Sequence, residues 1–396
     1  MKKGWKYDKL INIYNFIDYR GATPTKLSEG VPLITAKNVK YGYLDYTIKD
    51  FISEDEYSLR QSRGISHKGD LLFTTEAPLG NVAIADLDRY SAGQRLITFQ
   101  KYCKSKYELE NKFYFFYMLS PIFQAKIKSL ATGATAQGIK AKILKEIPIP
   151  IPPLSEQKEI VEYLDSSFAK IDKLKENAAK NLEEAKALFQ SALKNALEPK
   201  EGWEEKTLGE MVKDVKYGTS KPACADGAYT YLRMNNITSD GHLDLNDTKT
   251  ISLDDKELEK CIVRKGDILF NRTNSYEHVG KTCVFTEETP MVIAGYIIRI
   301  RLKECLNPYY MNYFFNMKDT KAKLRKISVG AVHQSNINAK AVQTVVIPLP
   351  SLSEQQSIVS FLDSLNEKVN TLQQNYSRIC DECDALKQAI LRQVFE

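Results

Sequence analysis

The sequence predicts an α+β protein in which two repeated globular domains are separated by two long helices that pair as an antiparallel coiled coil. Three observations lead there. Matched motifs recur at a constant offset of 197 or 198 residues, half of the 396-residue chain, so the chain is written twice. Each half has a body of short Val-, Ile-, Tyr- and Phe-rich runs broken by turn signals, and the body ends in a proline run. Each half then closes on a segment, 155–197 or 353–395, that lacks glycine and proline and repeats its apolar residues at heptad spacing.

The repeat is carried by particular residues. Gly4-Trp5 returns as Gly202-Trp203, and Lys68-Gly69-Asp70-Leu71-Leu72-Phe73 as Lys265-Gly266-Asp267-Ile268-Leu269-Phe270. Leu154-Ser155-Glu156-Gln157 returns as Leu352-Ser353-Glu354-Gln355. Lys37-Asn38-Val39 faces Asn235-Asn236-Ile237, and Gly133-Ala134 with Gln137 faces Gly330-Ala331 with Gln334. Residues between these marks differ almost completely, which implies one fold with two different surfaces. The expected segments are a globular domain over 1–150, a proline hinge and helix over 151–198, a second globular domain over 199–350, and a second hinge and helix over 351–396.

The hinges, residues 147–153 and 347–350, hold the chain extended because proline blocks helix and restricts its predecessor. Ser155 and Ser353 are suitable N-caps, Glu156 and Glu354 suit the positive end of the helix dipole, and Ser353 with Gln356 fits a capping box. Each helix would span roughly 60 Å. On the second, the seam reads Leu362, Val369, Tyr376, Cys383 and Ile390 with Leu365, Leu372, Ile379 and Leu386. On the first it reads Val161, Phe168, Leu182, Phe189 and Ala196 with Leu164, Ile171, Ala178, Ala185 and Ala192, interrupted by Lys175. A single apolar seam of that length needs a partner, and each seam supplies the other's.

Composition sets outer bounds. With 43% apolar residues the chain can bury two cores, which excludes full-length disorder. No apolar run approaches the ~20 residues that span a bilayer, and the first five residues lack a signal peptide's apolar stretch, so a cytoplasmic protein is expected. The seven cysteines, Cys103, Cys224, Cys261, Cys283, Cys305, Cys380 and Cys383, are scattered, and no bridge is expected. The net charge of +6 is unevenly placed: residues 1–150 carry +8 and 199–350 carry +3, against −2 over 151–198 and −3 over 351–396. Positive charge confined to the globular bodies is the distribution expected if those bodies touch phosphates while the helices do not.

Motifs for chemistry are missing. There is no phosphate-binding Gly-x-x-x-x-Gly-Lys-Ser/Thr loop and no Gly-rich strand-to-helix turn. His67, His242, His278 and His333 are isolated, and Cys380 and Cys383 lack a second pair for zinc, with Cys383 on the seam. Asn307-Pro308-Tyr309-Tyr310 is near the Asn/Asp-Pro-Pro-Tyr/Phe loop of amino-methyltransferases but lacks the second proline, and Pro308 reads as a helix start. No catalytic residue, metal site or cofactor is assigned to this chain.

Two variable basic domains, each followed by a proline hinge, the Leu-Ser-Glu-Gln run and a long helix, resemble the specificity (S) subunit of type I restriction-modification systems. The resemblance covers the whole chain and rests on residues 147–157 and 347–355, the Gly-Trp openings and the paired Lys-Gly-Asp runs. It implies that the bodies are target-recognition domains, each reading one half of a split site on double-stranded DNA, and that the antiparallel helices set their separation and dock two methyltransferase (M) subunits. S-adenosylmethionine would then act on those subunits, ATP with Mg on motor/endonuclease (R) subunits, and this chain would be a non-catalytic reader. Like domains about a pseudo-two-fold axis suit unlike half-sites with centres about one turn, ~10 bp, apart.

Base readout needs Arg, Lys, Asn or Gln on exposed loops, assisted by Ser and Thr. Repeat-matched positions with that chemistry are Lys37, Asn38, Thr74, Thr75 and Gln137 in the first domain, and Arg233, Asn235, Asn236, Asn271, Arg272, His333 and Gln334 in the second. Lys140 and Lys142 suit phosphate contacts. The competing readings are a protein-interaction scaffold with no DNA role, which leaves the charge segregation unaccounted for, and a stand-alone DNA-modifying enzyme.

Overall fold

The computed structural model describes residues 4–21, 23–133, 137–331 and 334–396. The chain forms two compact units, Met1–Ala178 with Ser377–Glu396, and Ala179–Tyr376. Each unit keeps one end of each long helix, Leu154–Leu197 and Leu352–Phe395, as a wall of its own core. In the first unit Val161, Leu164, Leu391 and Phe395 join Phe73, Phe99, Phe113 and Phe123, and the Phe395 ring meets Phe113 edge-on at 5.4 Å. In the second, Leu193, Leu197, Val359 and Leu362 join Phe270, Phe314 and Phe315. Each such side chain contributes about 1.5–3 kcal/mol of burial, which holds helix to domain.

The two units repeat one topology. In the first, a four-stranded antiparallel sheet runs Tyr14–Asp18, Leu96–Lys101, Leu71–Thr74, Val82–Ile84. In the second the order is Val212–Tyr217, Ile297–Leu302, Ile268–Asn271, Thr282–Val284. A smaller mixed sheet lies beside each, built on parallel pairing of Val31–Ile34 with Ser91–Ala92 and of Tyr229–Leu232 with Met291–Ile293. The Lys-Gly-Asp runs are the turns that open the central strands. Gly69 and Gly266 take φ of +90° and +88°, where a side chain would be strained, and Asp70 and Asp267 accept from the backbone N–H of His67 and Arg264 at 2.8 and 2.9 Å.

The proline hinges are strands. Pro148–Ile151 pairs antiparallel with Lys6–Lys9, and Val346–Leu349 with Glu204–Thr207. Proline is tolerated because both are edge pairs, in two-stranded sheets. The Leu-Ser-Glu-Gln motif then fastens the helix to the domain. Gln157 and Gln355 are fully buried. Gln157 Oε1 accepts from the Glu110 N–H at 2.8 Å, and its Nε2 donates to the Glu108 and Pro152 carbonyls. Gln355 repeats this with the Asn307 N–H at 2.7 Å and the Cys305 and Pro350 carbonyls. Glu156 accepts from the Trp5 indole at 2.9 Å, which explains why Gly-Trp and Leu-Ser-Glu-Gln travel together.

The caps differ from the expected ones by position. The helices start at Leu154 and Leu352, so Ser155 and Ser353 lie inside the first turn. Ser351 caps the second helix, and the capping box is Ser351 with Glu354, whose carboxylate accepts from the Ser351 hydroxyl at 2.9 Å and backbone N–H at 3.1 Å. Those bonds hold the Glu354 carboxyl below its usual range. Asn307 caps helix Pro308–Asn316 by accepting from the Tyr309 N–H at 2.8 Å, so Pro308 is a helix start.

In the first unit the helices run antiparallel, with Lys175 ion-paired to Asp384 at 2.9 Å and Lys387 to Asp172 at 2.5 Å. Lys175, the polar interruption of the seam, thus has its own partner. Val161, Leu164, Ile171, Leu182, Leu362 and Cys383 are buried as seam residues should be. Leu372 and Leu386 instead stand 41% and 50% exposed and do not act as seam residues. All seven cysteines are free. Among the described residues no helix is long and apolar enough to cross a membrane.

Replacing Gln355 by leucine should strand the Asn307 N–H and two carbonyls in a dry site and lower stability by about 2–3 kcal/mol. The urea unfolding midpoint checks this against Ser353→Ala, on the exposed first turn, which should leave it unchanged.

Candidate nucleic-acid interface

At one end of each four-stranded sheet, loops that are far apart in sequence are tied together by backbone hydrogen bonds. In the first unit Thr75 N–H donates to the Arg95 carbonyl at 3.0 Å, Ile139 N–H to Thr75 at 2.9 Å, and the Asn81 amide to the Val39 carbonyl at 2.9 Å. Loops 35–45, 75–81 and 93–95 therefore share a rim with Thr132, Gly138 and Ile139. In the second unit Arg272 N–H donates to the Tyr296 carbonyl at 2.9 Å and Ile337 N–H to Arg272 at 2.8 Å. The rim there gathers loops 233–247, 272–280 and 294–296 with strand Gln334–Asn336.

Several sequence candidates turn out to build these loops. Asn38 is buried, its Oδ1 accepting from the Thr35 N–H at 2.9 Å and its Nδ2 donating to the Asp45 and Ile48 carbonyls. Asn236 repeats the arrangement with the Arg233 N–H and the Asp244 and Asp247 carbonyls. Thr74 accepts from the Asn81 N–H, Thr75 donates to the Arg95 carbonyl, and Asn271 accepts from the Thr273 N–H, all three buried. These five side chains have no free edge to offer a base. They are removed from the candidate set, and their repeat-matched positions reflect loop construction.

Other candidates stand open on the rim. Lys37 and its repeat-mate Asn235 are exposed on the turns that Asn38 and Asn236 shape. Gln137, Lys140 and Lys142 are exposed. Arg233 is ion-paired to Asp247 at 2.9 Å. Arg272 is half-buried with its guanidinium carbon 4.9 Å from the centre of the Tyr217 ring. His333 lies outside the described residues, as does the side chain of Gln334. Sequence reasoning missed the exposed tyrosines Tyr41 and Tyr43 in the first unit and Tyr217, Tyr276 and Tyr296 in the second. Tyrosine beside glycine or within Asn-Ser-Tyr was the available signal.

The second unit adds basic charge behind its rim. Helix Lys318–Lys326 carries Lys318, Lys321, Lys323, Arg325 and Lys326. Burial, reinforced by Arg325, pushes Lys321 down to about 8, and its Nζ donates to the Ser239 carbonyl at 2.6 Å. The units also differ where helix meets loop. Phe115 and Leu119 lie against Gly42 in the first unit. Asn312 and Asn316 take their places in the second, with Asn312 donating to the Gly241 carbonyl at 3.0 Å, beside a cavity of about 1030 Å³. Among the described residues no group of three or more His, Cys, Asp or Glu could hold a metal ion.

A pair of unlike, loop-built, basic rims on one repeated scaffold defines a recognition protein. The chain belongs to the family of type I restriction modification DNA specificity domains, which matches residues 2–184 and 200–379. It is 26% identical over 384 residues to the EcoKI specificity subunit of Escherichia coli strain K12, covering 92% of this chain and 82% of that protein. It is also 26% identical over 386 residues to the StySPI specificity subunit of Salmonella potsdam, covering 92% and 81%. A chain from a structure of type I R-M complex assembly and conformational transition shares the fold at a TM-score of 0.75 and 20% identity, covering 100% of this chain and 98% of that one. The HsdS subunit from Thermoanaerobacter tengcongensis does so at 0.56 and 20%, covering 100% and 97%.

His242 accompanies Asp240 on the loop beside the cavity, with Nδ1 to Oδ2 at 3.3 Å, and that bond raises the imidazole above its usual 6.5. The pair therefore stabilises the loop fully below pH 6.5 and loses that contribution as pH rises through the raised value. A proton NMR titration should place His242 above 6.5, and Asp240→Asn should bring it down.

Proposed function

We propose that this chain is the sequence-reading, non-catalytic subunit of a type I restriction-modification assembly. Each unit reads one half of a split, asymmetric site on double-stranded DNA, and the long helices carry two methyltransferase subunits. The observation that carries this reading is the pair of rims, alike in backbone and unlike in exposed side chains. A scaffold for one kind of protein partner has no need of two chemistries at matched loops, whereas two unlike half-sites require them. Phosphate contact falls to exposed lysines such as Lys140 and Lys142, which fix the duplex without reading it.

The helices offer a docking surface at repeat-matched positions. Tyr163 and Phe361, Leu174 and Leu372, and Leu188 and Leu386 are each 198 residues apart and each exposed. Large apolar side chains left in water at the same places in both repeats suit two copies of one partner. Methyl transfer with S-adenosylmethionine, and ATP-driven translocation and cleavage by a motor subunit, are assigned to those partners.

Binding of the full chain to duplex DNA at a series of salt concentrations tests the reading. Affinity should fall steeply with salt, and Lys140→Ala should weaken all sequences alike while reducing the slope of log K against log salt by about 1. Binding that ignores salt and duplex sequence would overturn it.

A further inference from the structure

We propose that Arg272 reads a guanine in the half-site of the second unit, held in position for that contact by the ring of Tyr217. The inference rests on the DNA reading above and adds the residue and the base.

The rims carry three arginines of interest, and two are already neutralised. Arg95 is ion-paired to Glu76 at 3.0 Å and Arg233 to Asp247 at 2.9 Å. Arg272 has no carboxylate in ion-pair range among the described residues. Among the described residues, the one acceptor beside its guanidinium is the Gly295 carbonyl, at the 3.5 Å limit from Nη1, and its buried Nε has none. A half-buried guanidinium at the rim with no carboxylate partner among the described residues keeps donors that an acceptor from outside can use.

Its position is fixed on every side. The Arg272 backbone is bonded to Tyr296 through its N–H and to Ile337 through its carbonyl, and its neighbours Asn271 and Thr273 are buried. The guanidinium lies over Tyr217, whose hydroxyl accepts from the Ala339 N–H at 2.9 Å and so cannot swing away. A planar fork of donors held at a loop rim matches the O6 and N7 acceptors of guanine, and little side-chain freedom remains to be lost on binding.

The matched positions of the first unit differ. Thr75 stands where Arg272 does, and Asp18, bonded to Arg20, stands in place of Tyr217. The cation on its ring is therefore particular to the second unit, as a contact to a base of one half-site requires.

The test is selection from a duplex library randomised across both half-sites, using the full chain and the variants Arg272→Lys and Tyr217→Leu. The wild type should enrich a split motif with one G·C pair that Arg272→Lys relaxes by about tenfold to a hundredfold, the other half-site staying intact as the control for folding. Tyr217→Leu should relax the same pair by less. Uniform weakening of all sequences would make Arg272 a phosphate contact, relaxation at an A·T pair would assign another base, and an unchanged motif would make the arginine structural; each overturns the inference alone. A wild-type chain that enriches no motif overturns the DNA reading itself, and this inference with it.

Discussion

The first turn of each long helix carries a glutamine that no water reaches. Gln157 and Gln355 place one amide between the last turn of the hinge and the loop that precedes the domain's aromatic helix, and their three bonds apiece satisfy backbone groups that would otherwise be orphaned. Trp5 on Glu156 closes the same junction from the N-terminal strand. With apolar side chains of both helices packed in each core, the domain cannot turn on its helix without exposing that core. A hinge suggested by the prolines is in fact a weld.

A weld matters because recognition by two separate rims depends on what lies between them. A flexible joint would let each rim find its half-site independently and would lose register. On the proposed reading, a fixed joint would pass helix length into the spacing of the sites, while the domains diverge in surface and the junction residues repeat. The same division of labour explains the rims: Asn38 and Asn236 build equivalent loops with the same bonds, and the exposed residues beside them, Lys37 and Asn235, differ.

The architecture was legible in the sequence because repetition, proline runs and heptads are periodic signals that do not depend on long-range contacts. The helix bounds came within a residue of Leu154–Leu197 and Leu352–Phe395. The seam was legible only in part, since Leu391, Phe395, Leu193 and Leu197 pack on domain cores that no helical period reveals. The rim was read least well. Repetition marks what both domains need, so it singled out buried loop builders such as Asn236 and Asn271. On the proposed reading, what differs between domains carries the recognition, and a side chain such as Tyr217 stands out only when the fold places it under Arg272.

The most direct measurement is the spacer accepted by a chain lengthened by one heptad in both long helices, inserted at matched places so that the pairing is kept. Seven residues add ~10 Å of helix, and DNA rises 3.4 Å per base pair, so the accepted spacer should grow by about 3 bp with both half-site sequences unchanged. A lengthened chain that still selects the original spacer would contradict the claim that the welded helices set the distance.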